Sequence, residues 1–227
     1  MTERKRVLVV GVGSIGERHL RCFQSTGRAD VSICELNNDL RSKIADQYGV
    51  EQQYADLESA LAEPHDCAVI ATPAHVHIAN SIQAVRAGLD LFIEKPLSTS
   101  VEGIGELQAL LQETGRKAAV AYVYRAHPAL SAMKEALDSG KFGKPVQLVV
   151  VSGQNFPTYR PAYRDIYYKS HATGGGAVQD ALTHSMNAGE YLVGPVDSLV
   201  ADFSHQVLEG VDVEDTVHVI TRQGTVL

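Results

Sequence analysis

The first half of the chain alternates short unbroken apolar runs with longer stretches in which apolar residues recur every three or four positions. The runs are RVLVV (6–10), VSICE (31–35), CAVIAT (67–72), LFIE (91–94) and AAVAY (118–122). Runs of this length without polar alternation fit strands buried on both faces of a parallel sheet. The stretches between them predict helices over about 15–25, 39–48, 76–87 and 101–114. Gly88 and Gly115 stand just past the last two, where a left-handed residue ends a helix without strain. Strand and helix in strict alternation imply a parallel sheet with helices on both faces, and so an α/β domain over residues 1–122.

The pattern then changes. A helix is predicted over about 128–139, stopped by Gly140, followed by a strand in QLVVVSG (147–153). A loop rich in Tyr and Arg leads to a helix over about 177–193. Strands over 198–203 and 216–221 and a hairpin turn at Gln223-Gly224 complete a second domain, 123–227.

Composition narrows the function. The chain has 227 residues, 44% hydrophobic and 21% charged, as in an ordinary globular protein with a real core. The net charge of −7 and the lack of a basic stretch exclude a nucleic-acid footprint. Arg4, Lys5 and Arg6 mark the solvated entrance to the first strand. No apolar run approaches the roughly 20 residues that span a bilayer, and the N-terminus has no signal-peptide pattern. The expectation is a cytoplasmic protein with neither membrane nor nucleic acid as partner. Cys22, Cys34 and Cys67 are odd in number and far apart, so they are read as buried reduced thiols rather than a disulfide framework or a zinc cage.

The candidate chemistry begins at Gly11, Gly13 and Gly16. They follow a hydrophobic strand and open a helix, and an acidic residue, Glu35, ends the next strand. That combination is the dinucleotide fingerprint. Gly11 permits the tight turn, Gly13 the approach of a pyrophosphate, and Gly16 close packing of helix on strand. The backbone at Ser14 and Ile15 then offers N–H groups to phosphate. Glu35 can accept both adenosine ribose hydroxyls and repels a 2′-phosphate, so NAD is expected over NADP; Asn37 and Asn38 leave some room for NADP. Ligands bind at the carboxyl ends of such strands, which adds Thr72, Pro73 and His77 from ATPAHVH and Glu94 and Lys95 from LFIEKP. His75 and His77 do not share a helix face and have no third ligand nearby, so no metal is expected. Pro96 holds Lys95 in extended conformation, and the Lys95–Pro96 bond is a candidate for the cis form.

In the second domain, Tyr159, Arg160 and Arg164 suit a polar substrate such as a sugar or carboxylate, or else belong to a lid packed on its own aromatics. Asp180, His184 and Asn187 fall at i, i+4 and i+7 on one helix face. A carboxylate beside an imidazole orients it and favours its protonated form, which suits a proton shuttle.

Four stretches, GVGSIGERH (11–19), ATPAHVH (71–77), EKP (94–96) and GGGAVQDALTH (174–184), together resemble the Gfo/Idh/MocA family, named for glucose–fructose oxidoreductase, inositol dehydrogenase and a rhizopine-catabolism protein. The resemblance covers nearly all of the chain. It implies a Rossmann domain followed by an α/β domain with an open, mostly antiparallel sheet. It also implies NAD(P)-dependent hydride transfer to or from a sugar or cyclitol. By motif, Lys95 contacts substrate and aids proton transfer, Asp180 and His184 form the D-x-x-x-H pair with His184 as acid/base, and Arg125 matches a basic substrate-binding position. Asn187 departs from the aspartate common in the family, and Thr183 lies near a position where glycine is common. Members usually continue for roughly another hundred residues, so the chain is expected to be C-terminally truncated, its second sheet short of strands. Family members often pair through that sheet, which implies a homo-oligomer. The alternative is a non-catalytic nucleotide-binding or interaction protein derived from such an enzyme.

Overall fold

The computed structural model describes residues 4–227, which form two compact units dividing after Ala121. The first contains strands β1 (Lys5–Val10), β2 (Ala29–Cys34), β3 (Gln53–Tyr54), β4 (Cys67–Ile70), β5 (Asp90–Ile93) and β6 (Ala118–Val120). Its helices are α1 (Ser14–Ser25), α2 (Asn38–Tyr48), α3 (Leu57–Leu61), α4 (His77–Arg86) and α5 (Ile104–Thr114). The sheet order is β3-β2-β1-β4-β5-β6, with every pairing parallel.

The unbroken apolar runs have the cause that the sequence suggested. Within β1, Leu8 and Val10 face one core with Ile70, Ile93 and Leu107. Val7 and Val9 face the other, with Leu20, Ile33 and Ile44. Alternate side chains point to opposite faces of a strand, so a strand covered on both sides is apolar throughout unless a polar residue finds a buried partner, as Ser32 does in His65 at 2.8 Å. The strand order reverses between β1 and β4, which opens a crevice at their carboxyl ends.

Two short elements were not legible. β3 has only two residues, Gln53 and Tyr54, and is defined by its pairing with β2. α3 has five, started by the Asp56 carboxylate, which accepts the Ser59 N–H at 2.7 Å. Cys22 departs from expectation by being exposed, because it lies on the outer face of α1; Cys34 is buried and Cys67 half-buried. Burial pushes the thiols of both Cys34 and Cys67 up to about 11, so they stay protonated.

The second unit contains α6 (Pro128–Asp138), α7 (Phe156–Tyr159), α8 (Thr183–Val193), and the antiparallel pair β7 (Ser198–Ser204) and β8 (Thr216–Arg222). The hairpin turn past β8 forms as expected, with Gln223 and Val226 bonded to each other at 3.0 and 3.1 Å. The predicted strand over 147–153 does not form a ladder. Leu148 N–H donates to Leu227 O at 2.8 Å and Leu227 N–H to Val146 O at 3.4 Å, while Val149 and Val151 stay exposed. Strand propensity needs a partner edge to become a strand. The helix expected over 177–193 forms, but its first part, Val178–Leu182, is wound as a π-helix. Among the described residues no helix is long and apolar enough to cross a membrane.

Candidate functional site

The glycine turn is built by steric exclusion. Gly11 has φ +83°, and its N–H donates to Cys34 O at 2.8 Å. A Cβ there would sit 2.9 Å from Ala71 O, at the end of β4. A Cβ on Gly16 would lie 1.9 Å from Gly11 O, so helix and turn close on each other only if the residue is glycine. Gly13 is different. A Cβ there would meet no protein atom within 4 Å, and φ is an ordinary −59°. Nothing in the protein's own packing demands glycine at this position, which is what a cradle for an approaching phosphate requires. Ser14 and Ile15 follow in the first turn of α1, where helical N–H groups lack intrahelical acceptors.

Glu35 stands at the end of β2 and is held by two backbone donors. Val12 N–H donates to Oε2 at 3.0 Å and Asn37 N–H to Oε1 at 2.9 Å. An ionised carboxylate has about four acceptor directions, so both oxygens keep capacity for hydroxyl donors. Asn37 caps α2 through the Leu40 N–H at 3.0 Å, and Asn38 accepts from Arg41 at 2.5 Å. Both asparagines thus serve the turn after β2.

The crevice ends of β4 and β5 carry the other candidates. Pro73 precedes a single 3-10 turn, Ala74–Val76. The Thr72 hydroxyl accepts from Asn80 at 3.1 Å. His77 does not line a surface, since it is 1% exposed. Its Nε2 lies 2.7 Å from Thr72 O and its Nδ1 3.0 Å from Pro96 O, so the ring is wedged between the two loops, and in its neutral form gives its single N–H to one of them. Burial lowers its pKa against the pull of those carbonyls. Its imidazole is therefore a structural link at the place where the sequence suggested a cofactor contact.

Glu94 is buried at 8% exposure. Its Oε1 lies 2.6 Å from His19 Nε2 and its Oε2 accepts the Lys95 N–H at 3.0 Å. The Lys95–Pro96 bond is cis. His19 was part of a motif in the sequence but had no role assigned to it. The signal was its place three residues after Gly16, on the α1 face that turns toward the sheet.

In the second unit, α8 and the π-wound segment before it gather the remaining candidates. Asp180 is buried and accepts the Tyr167 hydroxyl at 2.8 Å. Desolvation, then the Asp180 carboxylate, push that phenol well above its usual range, so Tyr167 remains a donor. His184 is flanked by the rings of Tyr122 and Tyr124, with centroids at 6.0 and 5.5 Å. Arg125 Nε donates to Asn187 Oδ1 at 2.9 Å, and its guanidinium lies over the Tyr191 ring at 5.3 Å. The segment 122–125 thus brings Arg125 to the helix that bears His184.

The aromatic loop divides. Tyr163 and Tyr168 are buried with Leu208, Val211 and Val213, and the Tyr163 hydroxyl donates to Glu209 O at 2.8 Å. Arg164 donates to the same carbonyl at 2.8 Å and stacks on Tyr163 at 4.6 Å. These residues pack the loop onto itself, as the alternative reading held. Tyr159 and Arg160 remain exposed. Sequence reasoning missed Glu214, which is 5% exposed. It accepts the Val178 N–H at 2.7 Å and pairs with His171. A Cβ on Gly176 would strike its carboxylate, which explains a glycine there.

Residues 5–122 match the family model described as oxidoreductase family, NAD-binding Rossmann fold, and residues 130–225 match the model of the GFO/IDH/MocA C-terminal domain. The chain is 28% identical over 178 residues to a levoglucosan dehydrogenase of Pseudarthrobacter phenanthrenivorans, covering 78% of this chain and 46% of that protein. It is 27% identical over 198 residues to a scyllo-inositol 2-dehydrogenase (NAD(+)) of Bacillus subtilis, covering 86% of this chain and 55% of that one. A solved levoglucosan dehydrogenase, in complex with NADH and levoglucosan, is similar with a TM-score of 0.82 and 27% identity, over 98% of this chain and 64% of that one. An NAD-binding oxidoreductase from Klebsiella pneumoniae shares the fold, with a TM-score of 0.86 at 21% identity, over 98% of this chain and 64% of that one. The chain spans about half the length of the curated relatives it matches. With the first model covering more than half of the residues and the second following it in order, the chain belongs to the Gfo/Idh/MocA oxidoreductase family.

Proposed function

We propose that the chain is an NAD-dependent oxidoreductase acting on the hydroxyl/carbonyl pair of a sugar or cyclitol. The observation that carries this reading is the glycine turn, where Gly11 and Gly16 are demanded by packing and Gly13 faces open space into which a phosphate can approach. Glu35, pinned with acceptor capacity left over, favours a ribose with both hydroxyls free and so NAD over NADP. Relatives named as inositol and levoglucosan dehydrogenases support the substrate class.

Gly11, Gly13, Ser14, Ile15 and Gly16 would hold the pyrophosphate, Glu35 the ribose, and Thr72, Pro73, Glu94 and Lys95 the crevice side. When bound, the nicotinamide supplies hydride acceptance and donation. The protein's own part is to move the proton and to hold developing charge. His184 is the acid/base, because imidazole titrates near neutrality. Asp180, a buried carboxylate on the same helical segment, supports the charged imidazole. Lys95 stabilises an alkoxide electrostatically. Arg125 and the exposed Tyr159 and Arg160 offer hydrogen bonds to a polyol; Arg164, stacked on Tyr163, lends a guanidinium edge. The setting proposed is the cytoplasm, with copies paired through the second unit's sheet.

The test is a thermal melt with and without nucleotide, followed by turnover on sugars and inositols. NADH at about 100 times its Kd should add roughly 2.7 kcal/mol of stability, and NADPH less. His184→Ala should keep that shift, and His184→Ala and Lys95→Ala should each lose about 10²–10⁴-fold in rate. Near-normal turnover in either variant removes that residue from the mechanism. Nucleotide binding without turnover on any substrate overturns the enzymatic reading.

A further inference from the structure

We infer that His19 is a positioning residue for Lys95, acting through Glu94, and that His77 holds the other side of the same bend. The inference rests on the reading above in taking Lys95 as a working group.

Glu94 sits where β5 leaves the sheet, and burial of a carboxylate there requires partners. Both oxygens have one, His19 Nε2 at 2.6 Å and the Lys95 N–H at 3.0 Å. The Glu94 side chain therefore folds back along the main chain and grips the peptide that carries Lys95. His19 arrives from α1, the helix opened by the glycine turn, and its ring stands edge-on to Phe92 at 5.5 Å, which limits its rotation. On the far side, the buried His77 ring reaches Pro96 O at 3.0 Å and Thr72 O at 2.7 Å. Residues 94–96 are thus clamped from two helices, α1 and α4. A lysine side chain is long and flexible, so the reach of its ammonium is set by how firmly its root is held. Misplacement by about 1 Å can cost on the order of 10²-fold in rate. In satisfying one oxygen of the buried Glu94, His19 also fixes the carboxylate whose other oxygen holds the Lys95 N–H.

The experiment compares His19→Leu, which removes the donor, with His19→Gln, which retains an N–H near the same place, in the full chain. Lysines are reductively methylated with 13C-formaldehyde, and the Lys95 signal is assigned by its loss in Lys95→Arg. His19→Leu should shift the Lys95 signal and its titration curve, and His19→Gln should return both toward wild type. In turnover assays His19→Leu should lower kcat about tenfold or more with KM for the nucleotide little changed, and His19→Gln should recover most of it. If His19→Leu does not melt cooperatively, Glu94→Gln, with the volume kept, carries the Lys95 signal and its titration curve as the readout. An unchanged Lys95 signal in a folded donor-less variant overturns the inference. Absence of turnover in the wild-type chain overturns the proposed function instead, and the Lys95 signal still decides whether His19 positions it.

Discussion

In the Rossmann unit each strand lies beside a parallel neighbour and the long strands are covered on both faces. In the second unit two strands pair with each other, and Leu199, Val200, Phe203 and Ile220 stand more than half exposed. The difference extends to polar groups. The first unit buries imidazoles and a carboxylate: His65 between Ser32 Oγ at 2.8 Å and Glu63 O at 3.0 Å, His77 near the Thr72 and Pro96 carbonyls, and Glu94 against His19 and the Lys95 N–H. The second buries carboxylates, Asp180, Glu214 and Asp215, each against donors from a loop or helix start. A layered sheet buries most of its surface in apolar contact across two cores. A unit with little sheet must fasten its loops by hydrogen bonds to buried charge, which are roughly twice as strong as neutral ones.

The sharpest test of this contrast lies in the loop tyrosines. Tyr163→Ala should destabilise the second unit by about 3–5 kcal/mol, since it removes a buried ring and the bond to Glu209 O. Tyr159→Ala, at a 69% exposed position, should change stability by less than about 0.5 kcal/mol. Denaturant unfolding of both variants checks the pair. A large loss at Tyr159 would mean that the loop is fastened by residues other than those in its small core.

Within the first unit the glycine turn offers a comparison of the same form. Gly16→Ala forces a Cβ onto backbone and should cost about 1–3 kcal/mol, read as a lower Tm. Gly13→Ala meets no atom, so the melt should stay in place while NADH affinity falls by about tenfold. Equal NADH affinity in Gly13→Ala would remove the ligand as the reason for that glycine.

The smallest expected effect is in pH dependence. Burial lowers the pKa of His65 and His77 below that of the unfolded chain, so the unfolded state takes up protons first. Their contribution is present above about pH 6.5 and is lost as pH falls below that value. Burial alone would raise the Asp215 carboxyl, but the N–H groups of Val207 and Leu208, the Thr216 hydroxyl and the Gln206 N–H bring it down to about 2. Its contribution is present above the ordinary carboxylate range, near 3.8, and is lost as pH falls through about 2. Hydrogen exchange from pH 7 to 4 should therefore show the first unit loosening before the Asp215 loop. The reverse order would break the comparison.

The parallel sheet was legible because burial on both faces leaves unbroken apolar runs, and the glycine turn because its spacing is bound to a strand before and a helix after. Helix ends at Gly115 and Gly140 were legible for the same local reason. The strand expected at 147–153 was not decided locally. Its valines have the propensity, but a strand exists only where another backbone edge meets it. The π-wound turn at Val178–Leu182 likewise leaves no trace in apolar spacing.

The residues themselves determined the alternation of strand and helix, the dinucleotide turn, the acidic residue after β2, and the stiff Lys95–Pro96 root. Each is a property of neighbours in the chain. Only the tertiary structure decided that His19 meets Glu94 across 75 positions, that His77 faces inward to two carbonyls, and that the aromatic loop divides between core and surface. Those outcomes depend on which elements the fold brings into contact. A histidine three residues after a glycine has the same local chemistry whether it meets a carboxylate or solvent.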